Sequence, residues 1–310
     1  MAYAQGGQIK AFDFTDLMGE VAVHAPNKLN TVWSSGYNNS GYGQTAIPLP
    51  SIGNQVTATQ WASAINALNN TYYHQTGSGS GLAAPTAGTP ITYLSTLQSS
   101  IQTAHTNRAS YASSGSSGSG AGYSFNITAD WNQNGQGYGI RTLTWSGGDA
   151  ARYFFNAGGR VGIRVDSIVN NNGTSRSQSI VTLGANFGQK SFGSMTAAAR
   201  TGSGGNVTSD VTDKGYYQLS TTPFIFTAID STSYYNSDYM LCRFSTNGTQ
   251  GSLGDNGNQL TLSIEFNSPS VGNHDGPYDD TLDVTVNYSV IWTYPETTYL
   301  SNSWGTVTAA

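Results

Sequence analysis

The sequence predicts a mainly β protein: a C-terminal antiparallel β-sandwich, jelly-roll-like, preceded by a small α-helical N-terminal region. Three observations carry that prediction. Residues 123–310 hold about eight short runs rich in β-branched and aromatic side chains, separated by Gly, Asn and Asp turns. Residues 56–111 instead repeat apolar side chains every three or four positions, the period of a helix. Between them "ASSGSSGSGAG" (112–122) has no apolar side chain larger than alanine. It reads as flexible coil, a linker between a helical region at 1–111 and a β-domain at 123–310.

Taken in order, Asp13 or Thr15 can cap a helical turn running through Leu17 to Val23, and Pro26 opens a second short helix carrying Leu29, Val32 and Trp33. Residues 34–54, full of Gly, Asn and Pro, are loop. In "TATQWASAINALNNTYYH", Thr57 and Gln60 form a capping box, hydroxyl and amide each satisfying an end-turn N–H. Trp61, Ile65, Leu68 and Tyr72 then line one helix face. After a glycine-serine loop, Thr89 is the expected cap and Pro90 sits in the first turn of a second helix, with the stripe Leu94, Leu97, Ile101 and Ala104. Two amphipathic helices joined by a loop that can double back make a helical hairpin.

The strand-like runs are "YSFNITADW", "IRTLTW", "RVGIRVDSIV", "QSIVTLGANF", "TPFIFTAI", "YMLCRFST", "QLTLSIEFN" and "TLDVTVNYSVIWTY". In the last, Leu282, Val284, Val286, Tyr288 and Val290 share one face, while Asp283, Thr285, Asn287 and Ser289 share the other. One face packs and one meets water, as in antiparallel sheets. "WSGGDAARYFFNAGG" (145–159) interrupts this pattern with a glycine pair on each side of an aromatic cluster. Asp149 is a natural N-cap, Ala150 and Ala151 favour helix, and Gly158 or Gly159 can take the left-handed C-terminal position. A two-turn helix between strands is expected, with some of Tyr153, Phe154 and Phe155 closing one end of the sandwich. A phosphate cradle is not, because no Lys-Ser/Thr follows the glycines and no GxGxxG is present.

Charge is scarce: 9% of residues are charged, against about 25% in an ordinary domain. Hydroxyls, amides and 19 tyrosines take that place. Such a surface exerts little long-range field, so copies can sit side by side without a Coulomb cost. The 12 basic residues are not clustered and the net charge is −5, which argues against nucleic-acid binding. No stretch approaches the roughly 18–20 apolar residues of a membrane span. The start lacks a basic region followed by an apolar run, so a soluble chain without a secretory signal is expected. Cys242, the single cysteine, cannot form an intrachain disulfide and reads as a small buried hydrophobe.

Reactive constellations are not evident. Glu20, Glu265 and Glu296 are far apart in sequence, and the histidines are His24, His74, His105 and His274. His74 and His105, at the ends of the two expected helices, read as end-turn polar residues. No nucleophile elbow or zinc helix motif occurs. "NHDGPYDDTLD" places Asp275, Asp279, Asp280 and Asp283 in a loop entering a strand, the candidate metal ligands of the chain. Calcium wants six to eight oxygens, but the spacing is not that of an EF-hand, and turns use Asp for their own backbone bonds. A glycosidase needs two carboxyl groups facing one site. Asp279 and Asp283 could supply them, yet nothing in the sequence pairs them across a cleft.

Several strings carry a resemblance. "YGQTAIPLPSIGNQVTATQWASAINALNN" from residue 42, "HQTGSGSG", "TAGTPITYLSTLQSSI", the opening "GGQIKAFDFTDLMG", "AARYFFNAGG" and "PETTYLSNSW" resemble virion structural proteins of tailed bacteriophages, cyanophages especially. The resemblance implies a tail, neck, fibre or baseplate component assembled in the host cytoplasm. It carries over no catalytic residue, metal or cofactor. The expectation is a non-enzymatic homo-oligomer whose partners are other virion proteins, attached through its N-terminal region. Leu17, Trp33, Trp61, Ile65, Leu68, Leu94, Leu97 and Ile101 are its expected assembly interface. The alternative is a receptor- or glycan-binding β-sandwich module, its aromatics and amides facing a host surface sugar.

Overall fold

The computed structural model of the chain describes residues 11–19, 28–34, 41–51, 53–88, 90–232, 235–250, 256–269 and 280–310. Among them, helices α1 (Ala11–Met18), α2 (Leu29–Trp33), α3 (Ala58–Thr76) and α4 (Leu94–Thr106) precede the strands. Strands β1 (Ser114–Ser119), β2 (Tyr123–Ala129) and β3 (Gly135–Thr144) lead into α5 (Gly148–Asn156). Then come β4 (Arg160–Asn170), α6 (Ser175–Phe187), β5 (Gln189–Phe192) and β6 (Asn206–Asp210). The chain ends with β7 (Phe224–Asp230), β8 (Tyr239–Thr246), β9 (Gln259–Ser268), β10 (Leu282–Pro295) and β11 (Thr308–Ala309). The protein is mainly β, with two antiparallel sheets and helices mostly in the N-terminal part.

The first sheet is organised by β10. Its first half pairs with β2, from Leu282↔Ala129 to Tyr288↔Tyr123, and its second half with β1, from Ser119↔Ile291 to Ser114↔Pro295. On its other side β10 pairs with β4, and β4 with β5. The second sheet runs β11-β3-β9-β8-β7-β6. Period-two alternation decides which side chains are buried: Leu282, Val284, Val286, Tyr288 and Val290 of β10 are all inside, as are Leu260, Leu262, Ile264 and Phe266 of β9. These join one apolar cluster with Phe226, Phe244 and the helix residues Phe154, Phe155, Ile180, Leu183 and Phe187. Each such side chain adds about 1.5–3 kcal/mol when fully buried.

Three expectations need correction here. Residues 112–122 are not free coil, since 114–119 form an edge strand whose small side chains fit against β10, with an added Cβ at Gly118 only 2.4 Å from the Trp292 indole. The run "QSIVTLGANF", read as a strand, lies in α6. Thr174 caps that helix by accepting a bond from Ser177 N (3.2 Å), and Ile180, Leu183 and Phe187, spaced three and four apart, turn one face into the core. β-branched residues in a short apolar run look alike in both states, and burial of one helical stripe decided between them. The third correction is the start of α4: Pro90 precedes a non-helical stretch and the helix begins at Leu94, while Thr89 lies outside the described residues.

Other elements follow their local signals more closely. The Thr57–Gln60 capping box forms, with Thr57 N bonded to Gln60 Oε1 (2.8 Å) and Gln60 N to Thr57 Oγ1 (3.2 Å). Helix α1 starts at Ala11, before Asp13, and stops at Met18 rather than Val23, whose surroundings are not described. The expected helix between the glycine pairs is α5. Gly147 stands at its N-cap, and Asp149 lies inside the first turn, paired with Arg152 (2.9 Å). Gly158 has φ +89 just beyond it.

Candidate functional site

The residues expected to face assembly partners are used inside the chain. Leu17, Trp61, Ile65, Leu68, Leu97 and Ile101 are buried in a helical cluster with Phe14 and Leu29, and Trp33 and Leu94 pack against it half-buried. Phe14 and Trp61 meet edge to face at 4.9 Å. The helical stripes therefore satisfy one another, and the expected interface on them is overturned.

The same helices are docked to the β-part. His74 Nδ1 lies 3.1 Å from Glu296 Oε1, both side chains buried, and Glu296 Oε2 accepts from Thr298 N (2.6 Å) and Tyr299 N (3.2 Å). Burial pulls the His74 pKa below its ordinary value, opposed by the hydrogen bond and charge of Glu296. Around this pair, Gln75 Nε2 donates to Tyr42 Oη (2.9 Å), Tyr42 Oη donates to Arg108 O (2.8 Å), and Gln44 exchanges bonds with Ser301 (2.9 and 2.7 Å). Tyr73 stacks on Tyr299 at 4.9 Å. A general base must reach a substrate proton; this imidazole instead joins two parts of the fold.

The acidic candidates divide. Asp275 and Asp279 lie outside the described residues. Asp280 Oδ2 accepts from Ser175 N at the start of α6 (3.0 Å) and from Tyr235 Oη (3.2 Å). Asp283 Oδ1 accepts from Asn171 Nδ2 (2.9 Å). Their acceptors go to helix and loop donors, the use that Asp finds at a helix N-terminus. Among the described residues no three His, Cys, Asp or Glu side chains come together as a metal site. In the described structure Asp280 and Asp283 bond to the start of α6, to the loop before it and, for Asp280, to Tyr235.

The glycine pairs also serve geometry. A Cβ at Gly159 would lie 2.5 Å from the Phe154 ring, and the cavity beside Gly158 and Gly159 measures about 80 Å³. Cys242 is fully buried, and burial pushes its thiol pKa up, which keeps it protonated and unreactive.

One feature near the acidic candidates escaped the sequence. A cleft of about 390 Å³ is lined by Thr128, Ala129, Asp130, Gln133, Asn172, Thr281, Leu282 and Asp283. It lies between the β2–β3 turn and the start of β10. Beneath the turn sits Arg176, a fully buried guanidinium just before the run read as a strand. Burial lowers its pKa, while Asp238, Tyr235 and Asp280 oppose that shift. Asp238, also buried, has its pKa raised to about 6, chiefly by desolvation. The signal for this region was the turn composition of "DWNQNG", which marks a turn but not what it borders. Compared with protein-family models, with characterised proteins and with solved structures, the chain matches none.

Proposed function

We propose that the chain is a non-enzymatic structural component of a tailed-phage virion, a tail, neck, fibre or baseplate part present in several copies, and that its two sheets form a jelly-roll-like β-sandwich. The observation that carries this reading is where the few charges go. Of 12 basic residues, Lys28, Arg152, Arg176 and Lys190 are buried. Lys28, Arg152 and Lys190 pair with Asp16, Asp149 and Asp210 at 3.1, 2.9 and 2.6 Å. The outside is thus poorer in charge than the composition states, which favours close packing of copies. On the outer face of the second sheet, Tyr138 and Ile140 of β3 and Ile225 of β7 stand exposed. Attachment through the N-terminal region then falls to outward residues such as Phe12, because the helical stripes are occupied.

Sedimentation velocity from low-micromolar to near-millimolar concentration tests the reading. Self-association weakened by Ile140→Lys and insensitive to added salt is expected. A monomer at every concentration, absent from purified particles by mass spectrometry, would overturn it. A second reading, recognition of a host surface glycan, is favoured by a specific observation: exposed Trp131 in the turn next to Asp130, which shares a cleft with Asp283.

A further inference from the structure

The turn at 130–133 is held from inside. Arg176 donates from Nη1 to Asp130 O (2.9 Å) and from Nη2 to Gln133 O (2.7 Å) and Ser268 O (2.9 Å). Its Nε donates to Ser268 Oγ (3.0 Å), and Gln133 N closes the turn on Asp130 O (3.0 Å). Carbonyls committed inward leave the side chains of Asp130, Trp131, Asn132 and Gln133 outward and exposed. The opposite wall is equally fixed: Asn172 Nδ2 donates to Thr281 O (3.0 Å), and Asn172 Oδ1 accepts from Ser177 Oγ (2.8 Å).

Against this rigid frame, two groups of the cleft are unspent. Among the described residues none bonds to the Asp130 carboxylate or to the Gln133 side-chain amide. One is a two-oxygen acceptor, the other carries both donors and an acceptor. Between them in the chain, Trp131 is 45% exposed, although tryptophan is highly buried on average. Trp131 does not line the cleft itself, but it is exposed in the same turn, next to Asp130 and two positions before Gln133. A flat apolar face in one turn with a carboxylate and an amide matches one ligand chemistry well: a sugar ring, with an apolar C–H face and hydroxyls at its edge. The cleft volume falls in the range of small-ligand sites. Charge excludes the anionic alternatives. Asp130 and Asp283 share the cleft, and the nearby cation, Arg176, is turned inward beneath the turn.

We propose that this cleft binds a neutral oligosaccharide, with Trp131 as the stacking surface and Asp130 and Gln133 as partners of its hydroxyls. The assignment rests on the glycan-recognition reading above and gives it a location.

A glycan array carrying neutral, sialylated and uronic-acid oligosaccharides, probed with the full chain, is the first experiment. Calorimetric titration with the strongest neutral hit then compares the wild type with Trp131→Ala, Trp131→Phe and Asp130→Ala. The expected result is neutral hits, a loss of at least ~tenfold in affinity for Trp131→Ala and Asp130→Ala, and retention by Trp131→Phe. Both replaced side chains are exposed, so melting temperatures should not move. Neutral hits whose affinity is unchanged in both alanine variants would overturn the cleft and leave glycan recognition standing elsewhere. Hits confined to anionic sugars would overturn the assignment, and no hit at all would overturn it together with the glycan reading.

Discussion

At the scale of single residues, close approach explains what propensity does not. β3 begins Gly-Gln-Gly-Tyr-Gly, a composition that reads as loop, yet 135–144 is a strand. Its glycines face inward, where a Cβ at Gly135, Gly137 or Gly139 would lie 2.2 Å from Leu282, 2.6 Å from Ile127 or 2.4 Å from the Tyr288 ring. The sheets approach so closely there that only hydrogen fits. Gly139→Ala is therefore expected to lower unfolding free energy by about 1–3 kcal/mol, the usual cost of overpacking. Urea titration measures it, and Tyr288→Leu in the same chain should recover part of the loss, since ring atoms make the clash. An unchanged midpoint for Gly139→Ala would mean that the gap between the sheets is wider than described.

Among the elements, local signals succeed where their own ends are satisfied locally. The capping box of α3 lies on exposed residues and needs no tertiary partner. Thr57→Ala should cost about 1 kcal/mol, and Thr57→Ser should cost little, because serine keeps the accepting oxygen. Equal melting curves for all three proteins would show that α3 does not depend on its cap. In contrast, α6 was legible only once its neighbours were known. Its Thr174 side chain donates to Thr281 O (2.8 Å) while capping Ser177 N, so the helix start is tied to the entry of β10. The edge strand β1 is the complementary case: six small residues with no pattern of their own become a strand because β10 offers an unpaired side.

Across the whole molecule, helical and β parts meet at the seam of His74 and Glu296, and that seam titrates. With its pKa below the ordinary value of about 6.5, native His74 stays neutral where the unfolded chain has already taken a proton. Between the two values the unfolded state holds more protons, so stability falls as pH drops below about 6.5. His105, lowered by burial and Arg108, acts in the same sense; Asp238, raised to about 6, acts in the opposite one between about 4 and 6. The contribution of His74 is thus read as a difference. The fall in melting temperature between neutral pH and pH 5 should be smaller for His74→Gln than for the wild type. Equal falls would remove His74 from the acid response.

What the sequence by itself determined is the part governed by short-range periodicity. That part includes the alternation of β8, β9 and β10, the α3 cap and stripe, the helix between two glycine pairs with Gly158 past its end, and a surface poor in charge. Each depends on residues within a few positions of one another, where steric and hydrogen-bonding preferences act without help. Only the tertiary structure decided what those faces meet. The stripes at Trp61–Leu68 and Leu94–Ile101 state that a partner is needed, but not that the partner is the same chain. Asp280 and Asp283 are acidic in any reading, yet the donors that occupy them come from the loop before α6 and its first turn, about a hundred residues earlier, and, for Asp280, also from Tyr235. The cleft at Asp130 likewise assembles from three distant segments. Such contacts have no local period to reveal them, because hydrophobic burial sets a requirement for coverage and leaves the covering surface to be chosen by packing of the whole.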